Sequence, residues 1–233
     1  MIDIHSHILP NMDDGPKSVE ESLLMAEDLA GIGFKTVFAT PHIYPGVFNN
    51  SRENILDGLS LFRKRLKEKK IEIDLRAGAE VFITPNLIHE VDCGLIMTMD
   101  DRGKFMLIEL PFFDYPDYID RAIFSLLCRG ITPIVCHPER NVMMQENIDL
   151  ARGLAEKGVK MQVTIASLAG LYGEKARNAA ESLLKMDLVH YLATDLHKRD
   201  GSLIKEGMGR LETLIGHDGV KRLLEENVRE IAG

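Results

Sequence analysis

Imidazole and carboxylate side chains recur along this chain in short patterns suited to divalent metal ions. His5 and His7 form H-x-H, His42 follows Ala39-Thr40-Pro41, and Glu80 follows Gly78-Ala79. Glu109 follows Leu107-Ile108, His137 stands between Cys136 and Pro138, and Asp195 with His197 forms D-x-H. Asp14 adds a further carboxylate in Asp13-Asp14-Gly15-Pro16. These are ligands that bind Mn, Fe, Zn and related ions. Residues two apart on an extended chain point the same way, so His5 and His7 can clasp one ion. Asp195 and His197 can serve one ion together or two neighbouring ions. Alone, each pattern has an ordinary reading: a turn for Asp-Gly-Pro, a loop histidine, an ion-paired glutamate. Together they outweigh it, because a carboxylate ending an apolar strand is costly unless paired or metal-bound.

The elements that must position these residues are short and alternate in type. Apolar runs at Met1–His5, Thr36–Thr40, Glu72–Ala79, Phe105–Leu110, Thr132–Cys136, Lys160–Ile165 and Val189–Thr194 predict strands buried on both faces. Amphipathic stretches between them predict helices. Ser18 to Glu21 reads as a capping box, and the helix after it stops near Gly31 and Gly33. Further helices are expected at about 51–69, 115–129, 147–157, 174–186, 202–215 and 220–231, with Pro116 suited to a first turn. Strands alternating with helices imply a parallel sheet with right-handed crossovers. Closed, it is a barrel close to (β/α)7; an open doubly wound sheet is the alternative. A barrel gathers all strand C-termini on one face. Six of the seven strands then deliver a His, Asp or Glu to that rim, and only the sixth does not. His89, His190 and His217 fall elsewhere and read as structural or surface residues.

The chain has 233 residues, room for one large core, and no repeat or linker divides it, so residues 1–233 read as a single domain. A net charge of -8 argues against a nucleic-acid partner or an anionic membrane surface. The three cysteines form no C-x-x-C pair, which suits a reduced, cytoplasmic protein. No signal peptide or membrane-spanning run is evident. Cysteine phosphatase chemistry is set aside: Arg140 follows Cys136 one residue too early for C-x5-R, and Cys136 reads as the buried last residue of strand five.

The ordered set H-x-H, Asp, His, Glu, a fourth-strand acid, His-Pro and D-x-H resembles the PHP family, named for polymerase and histidinol phosphatase. The resemblance runs from His5 to His197. Asp3-Ile4-His5-Ser6-His7, Asp13 to Ser18, Ala39 to His42, Gly78 to Val81 and His137-Pro138-Glu139-Arg140 are similar to the bacterial manganese-dependent protein-tyrosine phosphatases. That branch acts with the tyrosine autokinases that control capsule and exopolysaccharide synthesis. The resemblance implies an α/β fold of the PHP-type distorted (β/α)7 barrel kind, in a cytoplasmic enzyme. It implies two or three divalent ions, Mn first and Fe, Co or Zn as alternatives. His5, His7, Glu80 and Asp195 would hold one ion. Glu80, Glu109 and His137 would hold a second, and Asp14, His42 and His197 a third. The chain departs from the branch at Thr194-Asp195-Leu196-His197-Lys198-Arg199, where Ser-Asp-Ala-His is usual, and at the end of strand six, Val163 to Leu168.

The implied substrate is phosphotyrosine on a protein, such as an autokinase tail, cleaved by metal-activated hydroxide attack on phosphorus. Three catalytic candidates follow. Arg140, three residues past His137, is placed to clamp phosphate through bidentate guanidinium bonds. His42 and His197 are candidates to protonate the leaving group. Arg199 is a second candidate cation for the phosphate. Tyr44, Phe48, Phe112, Phe113, Tyr115 and Tyr118 lie near strand ends and are expected to grip a ring or to pack the loops. The alternatives are a small-molecule phosphatase such as histidinol-phosphate phosphatase, a metal-dependent nuclease or amidohydrolase, and a non-catalytic module that binds an autokinase tail.

Overall fold

The computed structural model describes residues 1–233. Its strands are β1 (Ile2–Ser6), β2 (Thr36–Ala39), β3 (His42–Tyr44), β4 (Phe48–Asn49), β5 (Asp74–Ala77), β6 (Glu80–Phe82), β7 (Phe105–Glu109), β8 (Thr132–Cys136), β9 (Lys160–Thr164) and β10 (Tyr191–Ala193). Its helices are α1 (Val19–Ile32), α2 (Arg52–Lys69), α3 (Leu87–Asp92), α4 (Tyr118–Cys128), α5 (Val142–Glu146), α6 (Asp149–Glu156), α7 (Ile165–Leu168), α8 (Gly173–Lys185), α9 (Gly201–Lys221) and α10 (Arg229–Ala232).

The second and third expected strands are each followed, after a break, by a short strand that was not expected. The second is β2, and β3 resumes after Thr40-Pro41; the third is β5, and β6 resumes after Gly78-Ala79. Proline has no N–H to give to a ladder. At Gly78 a Cβ would lie 2.9 Å from Thr40 Cγ2 and 3.1 Å from Met99 Sδ, so the two breaks pack against each other where no larger residue fits. Below the breaks, β1, β2 and β5 form one parallel sheet. Above them, β3 and β6 pair instead with β7, β8, β9 and β10, and β4 adds an antiparallel edge. The strands follow barrel order, yet the ladder does not close. β5 and β7 do not pair, and the turn Met99–Asp101 packs against both. β10 meets β1 through the Ser6–Leu196 bridge and a 2.8 Å bond from Asp195 N–H to the His5 carbonyl.

The barrel interior is layered. Ile4, Phe38, Leu107, Ile134 and Tyr191 are fully buried in a core of their own, closed from below by Val228, Ile231 and Ala232. The larger core lies between the outer strand faces and the helices and includes Leu29, Phe62, Val135, Met161 and Leu183. Strand alternation then explains the rim. The parity that sends Leu107 into the barrel sends Glu109 into it one pleat higher, and Tyr191 stands in the same relation to Ala193.

Helix ends differ from expectation in small ways. Ser18 Oγ accepts from Glu21 N–H, but the Glu21 carboxylate turns to Lys17 N–H, so the capping box is half made. α4 starts at Tyr118, with Pro116 ahead of it rather than in its first turn. α9 is two helical segments joined at Gly216, whose φ of +70° and ψ of 171° are not helical, so the expected break after residue 215 is present; the second segment begins earlier than expected and takes in His217.

Candidate metal centre

His5, His7, Glu80 and Asp195 converge on one point although they come from β1, the segment after it, β6 and the loop after β10. His5 Nε2 lies 3.2 Å from His7 Nε2, 3.1 Å from Glu80 Oε2 and 3.2 Å from Asp195 Oδ1. His7 Nε2 lies 3.1 Å from Glu80 Oε2 and 3.4 Å from Asp195 Oδ1. A tetrahedral ion with ligands at about 2.0–2.1 Å holds those ligand atoms about 3.3–3.4 Å apart. Five edges of this group match that figure.

The outer nitrogens of the two imidazoles are engaged. His5 Nδ1 donates to Gln162 Oε1 at 2.8 Å, and His7 Nδ1 donates to Asp13 Oδ2 at 2.6 Å. Each Nε2 lone pair is thereby directed inward, the usual arrangement for a ligating histidine. The donor set fits a cation by its charge as well. Asp195 Oδ1 and His42 Nδ1 are buried and have no hydrogen-bond partner. Burial lowers the His5 pKa, but Asp195 and Glu80 outweigh it and push it up to about 9. A divalent ion supplies the positive charge these carboxylates otherwise draw onto imidazole.

Glu80 reaches further with its other oxygen. Its Oε1 lies 2.7 Å from His137 Nε2 and accepts from Cys136 Sγ–H at 3.1 Å. Glu109 Oε1 is 4.0 Å from His137 Nε2, and Glu109 Oε2 is 3.7 Å from His42 Nδ1. Burial, then repulsion from Glu80, raises Glu109 to about 9, so it holds a proton unless positive charge stands beside it. Burial, then Arg140, lowers His137 to about 4, leaving it neutral and able to ligate. A third group forms at the rim, where Asp14 Oδ1 lies 3.6 Å from His42 Nε2 and 3.3 Å from His197 Nε2. His7 adjoins this group too, its ring stacked on that of His197 at 3.8 Å. All nine residues singled out as ligands thus meet at one mouth.

Local backbone serves this convergence. His137 (φ +36°), just after β8, and Asp195 (φ +51°), two residues past β10, take left-handed conformations, a strained arrangement typical of functional sites. His42 and Glu80 open β3 and β6, just past the breaks, rather than ending a strand as expected for Glu80.

The catalytic candidates separate. Arg140 lies at the mouth: its Nη1 donates to Asp195 Oδ2 at 2.7 Å, and its guanidinium lies 4.9 Å from the Phe112 ring centre and 4.3 Å from that of Tyr172. His197 is the more open of the two histidines, with Nδ1 donating to the Asp195 carbonyl at 3.0 Å. Both nitrogens of His42 face carboxylates, which leaves it no free position from which to protonate a leaving group. Arg199 forms a two-pronged pair with Asp28 on α1 instead of facing the mouth.

Several residues that shape the site have no conspicuous motif. Asp13 carries the His7 bond and also accepts from Gly15 N–H and His42 N–H. Gln162 is an amide at an inward position of β9, between Met161 and Val163 of the outer core. Glu139 is fully buried and accepts from Thr164 N–H and Ser167 Oγ–H, tying the His137 turn to the end of β9. Burial raises it to about 7. Period-two alternation marks Gln162 in hindsight, and Asp13 and Glu139 stand beside motif residues. Phe48 stacks on His42 at 5.2 Å and Phe112 on His137 at 5.7 Å, so two of the six rim aromatics pack against the site, and Tyr44 stacks on Phe82 at 4.0 Å.

A family model described as capsular polysaccharide synthesis, CpsB/CapC, matches residues 1–232. The chain is 35% identical over 197 residues to tyrosine-protein phosphatase YwqE of Bacillus subtilis, covering 84% of this chain and 77% of that relative. It is 30% identical over 238 residues to tyrosine-protein phosphatase CpsB of Streptococcus pneumoniae, covering 99% and 98%. A chain from the crystal structures of YwqE and CpsB, described as unique metal-dependent tyrosine phosphatases, superposes with a TM-score of 0.93 at 32% identity, covering 100% of this chain and 94% of that one. Histidinol phosphate phosphatase of Lactococcus lactis gives a TM-score of 0.59 at 14% identity over 92% and 94% of the two chains, a likeness of fold.

Proposed function

The chain belongs to the CpsB/CapC family of capsular polysaccharide synthesis, and from that premise we propose that it is a metal-dependent protein-tyrosine phosphatase. The observation that carries the reading is the His5, His7, Glu80 and Asp195 group, whose ligand atoms stand at the mutual spacing of a metal shell. His5, His7, Glu80 and Asp195 would hold one ion, Glu80, Glu109 and His137 a second, and Asp14, His42 and His197 a third. Nitrogen and oxygen ligands of this kind suit Mn, with Fe, Co and Zn as competitors. Bound ions supply an activated water nucleophile near neutral pH and charge stabilisation for the phosphoryl group.

The remaining work falls to the protein. Arg140 binds the phosphate. Asp195 and the faces of Phe112 and Tyr172 fix its guanidinium plane before substrate arrives, which removes reorganisation from the reaction. Where only the first two ions are bound, His197 Nε2, at the open edge, is the atom placed to give a proton to the leaving oxygen. Phenolate leaves readily, its conjugate acid having a pKa near 10, so modest proton transfer suffices. Cys136 takes no part: burial, then Glu80 and Glu109, hold its thiol protonated.

The substrate is phosphotyrosine on a protein partner, a tyrosine autokinase tail in the capsule pathway, met in the cytoplasm by a single domain spanning residues 1–233. No helix is long and apolar enough to cross a membrane. Phosphate release from a phosphotyrosine peptide and from histidinol phosphate, by metal-depleted protein with and without Mn²⁺, tests the reading. Mn-dependent release from the peptide, lost in His5→Ala, is expected. Preference for histidinol phosphate would move the function to a small-molecule phosphatase. Release from neither with any divalent ion would remove the phosphatase reading.

A further inference from the structure

Two openings meet at the metal centre and share Asp14, Arg140, Asp195 and His197. The smaller, about 190 Å³, contains the ligand atoms of Glu80, Glu109 and His137. Its aromatic walls are already used. Phe48 lies flat on His42 with 10° between the rings, and Phe112 lies over His137 with 21°. The larger, about 340 Å³, leaves the shared residues on the opposite side, where Ala166, Leu171, Tyr172, Leu196 and Ile204 wall it.

The larger opening is amphipathic along its length. Its inner end carries the Arg140 guanidinium and His197. Its open apolar surface comes from Leu171, a large side chain 42% exposed, and the half-buried Tyr172, with Ala166, Leu196 and Ile204 buried behind them. At the lip, Lys198 Nζ stands 4.0 Å from Asp200 Oδ2, so the two charges offset each other. A ligand matching this profile has a phosphate head and a flat apolar tail. We infer that this opening, formed by α7 and the turn after it and by the loop entering α9, receives the aryl ring of the phosphate ester. The inference rests on the phosphatase reading and deepens it, since it assigns the leaving group a place. The ester oxygen then faces His197 as the ring lies against Leu171. The two stretches where the chain departs from its branch, 163–168 and 194–199, both border this opening.

The test compares phenyl phosphate with acetyl phosphate, a small reactive phosphate lacking a ring, using Mn-loaded protein. Leu171→Glu is expected to lower kcat/KM for phenyl phosphate about tenfold relative to acetyl phosphate, mainly through KM, while Leu171→Phe retains the parent's ratio. Val47→Glu, a change at an exposed residue of the smaller opening, is expected to keep that ratio within about twofold. A fall in the ratio for Val47→Glu with none for Leu171→Glu would put the ring in the smaller opening and overturn the assignment. An equal fall for both substrates in Leu171→Glu would also overturn it, by showing a structural effect. Parent protein that cleaves neither compound would remove the phosphatase reading itself, and the ring site with it.

Discussion

Asp13 Oδ2 lies 2.6 Å from His7 Nδ1, both groups fully shielded from solvent. This bond makes a neighbour of the obvious ligand, rather than a ligand, responsible for aiming an imidazole. The opposite histidine, His5, is aimed by the neutral amide of Gln162 at 2.8 Å. One imidazole is thus backed by a charge and the other by a dipole.

Removing the charged support should weaken metal binding more than removing the neutral one. Asp13→Ala is expected to lower Mn²⁺ affinity about 10–100-fold, the usual cost of losing such a partner. Titrating metal against a competing chelator measures it for Asp13→Ala and Gln162→Ala in parallel. Unchanged affinity in Asp13→Ala would show that the bond positions nothing.

Arg140 is held by an ion pair and two aromatic faces, a fit specific to a planar guanidinium. Arg140→Lys is expected to lower kcat/KM for a phosphotyrosine peptide by about 100-fold, with the bound metal content of the parent. Metal analysis beside the kinetics decides the point. Lost metal would mean that Arg140 acts by holding Asp195 in place.

Asp3 joins β1 to the end of β10 by accepting from Thr194 N–H at 2.9 Å, Thr194 Oγ1–H at 2.5 Å and His5 N–H at 3.3 Å. Burial raises its pKa to about 6, against the bonds from Thr194 that lower it. A raised folded-state pKa means the folded chain binds this proton more tightly than the unfolded chain. Its contribution to stability is therefore complete below about pH 4 and is lost as pH rises through about 6, on the order of 2–3 kcal/mol in all. Asp3→Asn removes the titration. Relative to that variant, metal-free parent protein should lose stability between pH 4 and 7 in denaturant titrations. A constant gap would show that Asp3 is ionised throughout.

Gly207 on α9 passes so close to α7 that a Cβ would lie 2.3 Å from the Ile165 carbonyl oxygen and 2.8 Å from Ile165 Cγ2. Backbone cannot yield as a side-chain tip can. Gly207→Ala is expected to destabilise by about 1–3 kcal/mol, read from the denaturation midpoint. Gly209→Ala, with nothing within 4 Å, is the matched control. Equal stability in the two variants would show that α9 shifts freely.

The sequence by itself determined the ligand set, because residue type, strand parity and position at strand ends depend on local chain order. His5, His7 and Glu109 declare themselves by standing at the ends of apolar runs, and Asp195 and His197 by their two-residue spacing. It also determined the alternation of strands and helices. Only the tertiary structure decided the rest, because those facts are contacts between residues far apart in the chain. Gln162 is an ordinary amide until His5 lies against it, 157 positions away. Arg199 looks like a phosphate ligand until α1 brings Asp28 to it. The breaks that set β3 and β6 apart from β2 and β5 follow from Thr40 and Gly78 packing side by side with Met99, which no single segment reveals. The left-handed turns at His137 and Asp195 also depend on the surrounding fold: histidine and aspartate tolerate that conformation better than most residues, but the sequence does not say which of them adopts it.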